Sequence, residues 1–451
     1  MYQLVKFGLV TQLRILTSDC DSETMLLAGK CRCDGMNKSN IHVTLFPYFL
    51  LLLAVGSVSS YAKVPIGTPV FWWVIDGLCL LLMWDLRAAV ASDNRTYLFW
   101  VYAYLSVNLL SIFGGAFLVK GYWEWKTLVT NSMGMLMPMA SFVAFDDFLL
   151  GKVLRVTLKF VFPCFLFVSP FIIPASFGFY LAMLSILILF VEAMPRRWSL
   201  IVYLLCVTVL VADVSSRSNV IKVSVSLLLL VMMKLRRLGL MPLIWFWRWI
   251  LIYAPLVLFS LGVLGVFNVF NMDEYMRDVT VLDSYGDEGE DLKADTRTFL
   301  YVDVLNTAKK YNSWLIGRTP AHGNETEFFV EVTEFFRKGE RPINEAAILN
   351  VFTWTGAIGV FLYFAIFARA SYLAIFLSNN EFAKAMGMLC AFNWAYSWVE
   401  NGNFFNAAYF AIFLVVGMCL SPAFRGKNDI EMIAWLRGIF ENNSFRWSAR
   451  E

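Results

Sequence analysis

The chain of 451 residues is 59% hydrophobic and 17% aromatic but only 16% charged, with a formal net charge of +3 and a mean hydropathy of +0.63. That balance excludes an ordinary soluble domain, and its positive charge is scattered over short loops, which argues for membrane topology and against nucleic-acid binding. The eight cysteines have no zinc-type spacing, so they do not point to a metal centre either.

Residues 1–41 form a polar segment without the apolar stretch of a cleavable signal peptide, and read as a cytoplasmic N-terminal segment. Its Cys20, Cys31 and Cys33 read as reduced thiols, whereas Cys79, Cys164, Cys206, Cys390 and Cys419 lie singly in apolar runs as small core residues. From His42 to Phe270 nine apolar runs follow, each long enough to cross about 30 Å of hydrocarbon as a helix. They cover His42 to Tyr61, Thr68 to Trp84, Tyr97 to Val119, Thr127 to Phe145, Val156 to Pro174, Phe177 to Met194, Trp198 to Ala212, Asn219 to Met233 and Pro242 to Phe270. Three more occupy Ala346 to Phe367, Phe382 to Val399 and Phe404 to Leu420, ahead of a tail at 423–451. The predicted fold class is therefore an all-α polytopic membrane protein with about twelve transmembrane helices.

Basic residues set the orientation. Arg87 and Arg95, Lys152 and Arg155, Arg196 and Arg197, Lys234, Arg236 and Arg237, Arg369, and Arg425 and Lys427 alternate with basic-poor loops. Both termini are then cytoplasmic, and the loops near Lys63, Trp123, Ala175 and Arg217 lie on the outer face with the 400–403 turn and the long polar insert at 271–345. This insert is the one long charged segment between apolar runs. Leu300, Val304, Ala308 and Tyr311 repeat at helical spacing after Asp295 or Thr296, and Asn324 followed by Glu327 resembles a capping box opening a second helix through Phe335 and Phe336 to Gly339. Two such amphipathic helices suit a lid over the bundle. The acidic run 287–291 lacks calcium-loop spacing and reads as a solvated loop.

Few residues can carry chemistry. Arg217 stands where a loop meets a helix, as an interfacial anchor or an anion site. Arg297 and Arg318 lie on the same side, either in loop salt bridges or converging with Arg217 on a phosphate, which guanidinium groups bind in bidentate fashion. Glu345 begins the helix after the insert, where the helix dipole favours a carboxylate; it or His322 can also act as a general base towards a sugar hydroxyl. Lys222 and Arg248 sit inside apolar runs, paired or snorkelling, without an assigned role.

The order of SSRSN at a helix start, a large loop, DTRTFLYVDVL, LIGRTPAHG and NEAAILNVFTWTGAIG resembles the O-antigen polymerase and O-antigen ligase superfamily over residues 195–422. Arg217 and Arg297 match its arginine positions, and Ile316-Gly317-Arg318 matches an I-G-x-G turn whose second glycine is missing or displaced to Gly323. Ligases of that superfamily carry a histidine after the loop; aligning Leu349, Gly356 and Gly359 puts Glu345 there, which leaves the polymerase expectation. The resemblance implies a GT-C-like glycosyltransferase of the bacterial inner membrane that needs neither metal nor cofactor. Its substrate would be an oligosaccharide on undecaprenyl pyrophosphate, with membrane lipids and a chain-length regulator as further partners. Arg217, Arg297 and Arg318 would hold the pyrophosphate, and Glu345 or His322 would act on the attacking hydroxyl. Trp123, Trp125 and Trp314 are either sugar platforms or interface anchors. The alternatives are a ligase, and a flippase, against which stands the lack of a readable repeat or pair of broken helices.

Overall fold

The computed structural model describes residues 41–90, 92–213, 216–235, 241–264, 296–326 and 340–441, with side chains left out at 41–44, 89, 241–242, 263 and 296–299. The N-terminal cysteines, the acidic run 287–291 and the predicted second insert helix lie outside the described residues. The described residues of each of the twelve apolar runs fall mainly on helix. The helices are α1 (Ile41–Gly56), α2 (Pro69–Leu86), α3 (Phe99–Leu118), α4 (Tyr122–Met135), α5 (Asp147–Val156, continuing as helix to Phe171), the bent pair α6 (Pro174–Tyr180) and α7 (Leu184–Ala193), and α8 (Arg196–Ala212). After them come α9 (Arg217–Lys234), α10 (Met241–Val263), α11 (Thr296–Lys310), α12 (Ala347–Phe376), α13 (Glu381–Tyr396), α14 (Ala407–Leu420) and α15 (Asp429–Glu441).

The protein is an all-α membrane protein: among the described residues six helical stretches are long and apolar enough to span, and a seventh if the pair bent by 62° counts as one. Its flank exposes large apolar side chains such as Phe117 and Phe167, at 74% and 77%, a surface suited to hydrocarbon rather than water. Local chemistry sets the ends. Thr68 caps α2 ahead of Pro69, Asp146 caps α5, and Asn380 and Asn406 cap α13 and α14, each accepting from backbone N–H groups of the first turn. Pro138 cannot donate to an α-helix, and α4 tightens into a 3-10 stretch over Met137–Phe145.

At one end the loops are stitched together. Lys63 N–H donates to Phe171 O at 2.8 Å, Asn219 Nδ2 to Ala175 O at 2.9 Å, Asn131 Nδ2 to Pro320 O at 3.0 Å and Ala347 N–H to Glu400 O at 3.0 Å. The loops near Lys63, Ala175 and Arg217 are therefore joined to one another, α4 to the insert, and the start of α12 to the loop at Glu400. At the other end Lys427 pairs with Asp147 at 2.6 Å and Asn380 Nδ2 donates to Phe424 O at 3.0 Å.

In the insert α11 lies over the bundle on the predicted apolar face: Leu300, Val304 and Ala308 are buried, and Tyr301 Oη donates to Trp398 O at 2.6 Å, whereas Tyr311 lies past the helix end and is exposed. Of the predicted capping box only Asn324 is described, since Glu327 lies outside the described residues. Asn324 stands in a two-residue strand β1 (Asn324–Glu325), antiparallel to β2 (Glu340–Arg341), and its amide donates to Thr353 Oγ1 at 2.8 Å. α12 is broken at Gly356, with φ 64° and ψ −162°. Inside a membrane the freed backbone groups need partners, and the 314–318 turn provides them. Ala357 N–H donates to Trp314 O at 2.8 Å, Ile358 N–H to Leu315 O at 3.2 Å, and Arg318 N–H to Thr353 O at 2.6 Å.

Candidate functional site

A cavity of about 990 Å³ opens among the stitched loops, a size in the range of small-molecule sites. Its charged lining is Asp76 on α2, Lys222 on α9, Arg341 on β2, Glu345, and Glu400 in the loop after α13. Tyr61, Trp72, Trp73, Phe179 and Phe392 add aromatic walls, and Asn219, Asn344, Asn393, Asn401 and Asn406 add neutral donors and acceptors.

Strand geometry places Arg341. Neighbours on a strand point to opposite faces, so Glu340 turns away from the cavity and Arg341 turns into it. One guanidinium nitrogen of Arg341 donates to Glu345 Oε1 at 2.8 Å; Arg341 is largely buried, whereas the Glu345 side chain is 52% exposed. Behind them an amide network fixes the wall. Asn344 N–H donates to Asn350 Oδ1 at 2.7 Å, and Asn350 Nδ2 donates to Asn344 O at 3.1 Å and to Asn401 Oδ1 at 3.2 Å. On α9, Lys222 points its Nζ over the Tyr396 ring at 5.5 Å, with Glu400 as the carboxylate that acts on it.

Arg318 and His322 meet elsewhere. Arg318 pairs with Glu340 Oε1 at 2.8 Å, donates to Gly323 O at 2.5 Å and stacks over the Tyr311 ring at 3.9 Å. His322 Nδ1 lies 3.8 Å from the other Glu340 oxygen, which also accepts from Gly323 N–H at 3.2 Å. Burial alone pushes the Glu340 carboxyl up, yet His322, Arg318 and the Gly323 N–H together push it down to about 2. This cluster latches the β1/β2 pair to the turn that docks on the break in α12. Because the carboxyl is depressed from 4.5 to about 2, its stabilisation is present above 4.5 and is lost as pH falls towards 2, by roughly 3 kcal/mol. Thermal unfolding of the detergent-solubilised protein between pH 5 and pH 2.5 is expected to display that loss, and Glu340→Gln is expected to flatten the profile in this window. An unchanged profile in the variant would assign the loss to other carboxylates.

The three arginines named from the sequence are not seen to converge. Arg318 is committed to Glu340 and, like His322, does not line the cavity. Arg217 is the exposed first residue of α9 and does not line it either, although Asn219 and Lys222 of the same helix do. Arg297 falls in the first turn of α11, with its side chain outside the described residues. Glu345 does line the cavity, just ahead of α12. Trp123, Trp125 and Trp314 are not among its aromatic walls.

Sequence reasoning missed Asp76, Arg341 and Glu400. Asp76 carried the signal that singled out Lys222, a charge inside an apolar run; Arg341 carried none, being one cation among many in the insert. Arg248 had the same signal as Lys222 but a structural outcome. It is buried and joins α10 to α12 by donating to Ser371 Oγ and Ala368 O, both at 3.1 Å. Cys79, Cys206, Cys390 and Cys419 are buried core residues. Among the described residues no group of three or more His, Cys, Asp or Glu side chains is arranged to hold a metal ion. Comparisons of the chain with protein-family models, curated proteins and solved structures find no match.

Proposed function

We propose that this chain is a glycosyltransferase of the bacterial inner membrane that polymerises oligosaccharide repeat units carried on undecaprenyl pyrophosphate, with the cavity as its site. The observation that carries this reading is the lining. Two cations, three carboxylates and several aromatic rings face one another at the loop end of an apolar bundle. Lys222 and Arg341 would hold the pyrophosphate and offset the charge that develops on it as leaving group. Glu345, held by Arg341 at the exposed side of the cavity, would take the proton from the acceptor hydroxyl as its oxygen attacks the anomeric carbon. The glycosidic bond then forms as the bond to pyrophosphate breaks. Aromatic faces such as Trp72 and Tyr61 suit the apolar faces of sugar rings. On this reading all twelve helical runs cross the membrane, both termini are cytoplasmic, and the cavity opens to the periplasm. Arg217 and Arg297 remain as cations of the same end, and the product is O-antigen, capsule or another exopolysaccharide.

A transporter of the same lipid-linked glycan is favoured by a different observation. The bent pair α6 and α7 lines the cavity, and α12 is broken at Gly356, so broken helices, a mark of transporters, are present after all. Proteoliposomes separate the two. Purified protein supplied with a short undecaprenyl-pyrophosphate-linked repeat is expected to yield a ladder of longer lipid-linked glycans. Movement of a fluorescent lipid-linked saccharide between leaflets without elongation would establish the transporter instead.

A further inference from the structure

The charges of the cavity are unevenly provided for. Lys222 has Glu400 and Arg341 has Glu345, but among the described residues no hydrogen bond or ion pair reaches Asp76. It is the eighth residue of α2 (Pro69–Leu86), about 10 Å along the helix at 1.5 Å per residue. An acid in such a segment is costly unless something in the cavity compensates it. The described cations do not: no charged side chain acts on Asp76. Trp72 and Trp73 precede it by four and three residues, which puts all three on one face of α2, and all three line the cavity. Both indole N–H groups are already engaged, Trp72 Nε1 with Ile66 O at 2.7 Å and Trp73 Nε1 with Thr130 Oγ1 at 3.3 Å. What the two rings offer the cavity is therefore π surface, which attracts cations.

From the Asp76 carboxylate, uncompensated among the described residues, and the two indoles that share its helix face and line the same cavity, we infer that the α2 wall is a subsite for a positively charged amino group, and that the glycan handled here carries a free amino sugar. The inference rests on the glycan reading above. It adds to that reading a ligand with two poles, an anionic end for Lys222 and Arg341 and a cationic end for Asp76. An N-acetylated sugar would offer Asp76 no charge and leave its carboxylate to be protonated or unpaired, so acetylation state becomes the feature the α2 wall selects.

The test is binding of two probes at pH 7 to the full chain in lipid nanodiscs: a β-1,4-linked glucosamine tetramer and its fully N-acetylated counterpart. The wild type is expected to bind the amine form at least about tenfold more tightly, from one carboxylate contact plus cation–π attraction. In Asp76→Asn the carboxylate's share is lost and only the cation–π share stays, so that advantage is expected to shrink at least about threefold. The substitution removes a charge and keeps the shape, so the fold is not at risk, and the N-acetylated probe reports within each protein whether the site is intact. Equal binding of the two probes by the wild type, or an advantage retained in full in Asp76→Asn, overturns the inference while leaving a glycan site in place. Binding of neither probe also overturns it. The glycan reading fails separately, if purified wild type elongates no lipid-linked repeat.

Discussion

Arg341→Ala is expected to lower elongation of a lipid-linked repeat by roughly 10²–10³-fold in proteoliposomes, the usual consequence of removing one charged donor from a developing anion. The protein should still insert and stay folded. Its ion-pair partner Glu345 is half-exposed, so solvent can rehydrate that carboxylate once the guanidinium is gone. Arg341→Lys keeps the charge but loses the planar fork, and is expected to recover only part of the rate. Lys222→Ala should fall in the same class. Arg217→Ala is expected to change the rate by less than about threefold, because Arg217 is exposed and outside the cavity lining. A collapse in Arg217→Ala with normal rates in Arg341→Ala would move the pyrophosphate site out of the cavity.

Gly356→Val is expected to destabilise the protein by at least about 3 kcal/mol, read as a lower thermal midpoint in detergent. Two penalties add. The backbone at φ 64° and ψ −162° is open almost only to glycine, and a Cβ there would overlap the Leu315 carbonyl. Gly317 is its counterpart across the junction, with φ 73° and a Cβ position 2.5 Å from Thr355 N. The two sites share one contact surface, so the double variant should be less destabilised than the sum of the singles. Gly77→Ala is the control: nothing lies within 4 Å of its Cβ position, and helix propensity predicts a small gain, about 0.5–1 kcal/mol. A Gly356→Val protein as stable as the wild type would mean that the 314–318 turn does not depend on this junction.

Much of the architecture was legible because a bilayer imposes it. In the described residues helix falls on the twelve apolar runs, and the Leu300, Val304 and Ala308 spacing, though not Tyr311 beyond the helix end, gave α11 its buried face. Both follow from periodicity and hydrocarbon thickness, which are properties of the linear chain. The break in α12 was not legible. NVFTWTGAIG reads as continuous apolar helix, and only the docking of Trp314 to Arg318 supplies the hydrogen bonds that make an interruption affordable. Asn324 pairs with Arg341 across β1 and β2, a contact between separate parts of the insert that residue spacing does not announce.

The candidate site divides in the same way. The sequence by itself determined a polytopic helical membrane protein with its polar residues gathered in one long insert, since hydropathy and charge are additive along a chain. It also marked Lys222 and Arg248 as costly charges within apolar runs. Which of them faces a cavity was decided by tertiary structure alone: Lys222 lines the cavity with its Nζ over the Tyr396 ring, while Arg248 is absorbed by Ser371 and Ala368. Arg318 and Arg341 were equivalent cations of one loop until two short strands formed. Strand alternation then turned Glu340 towards Arg318, and left Arg341 to the cavity.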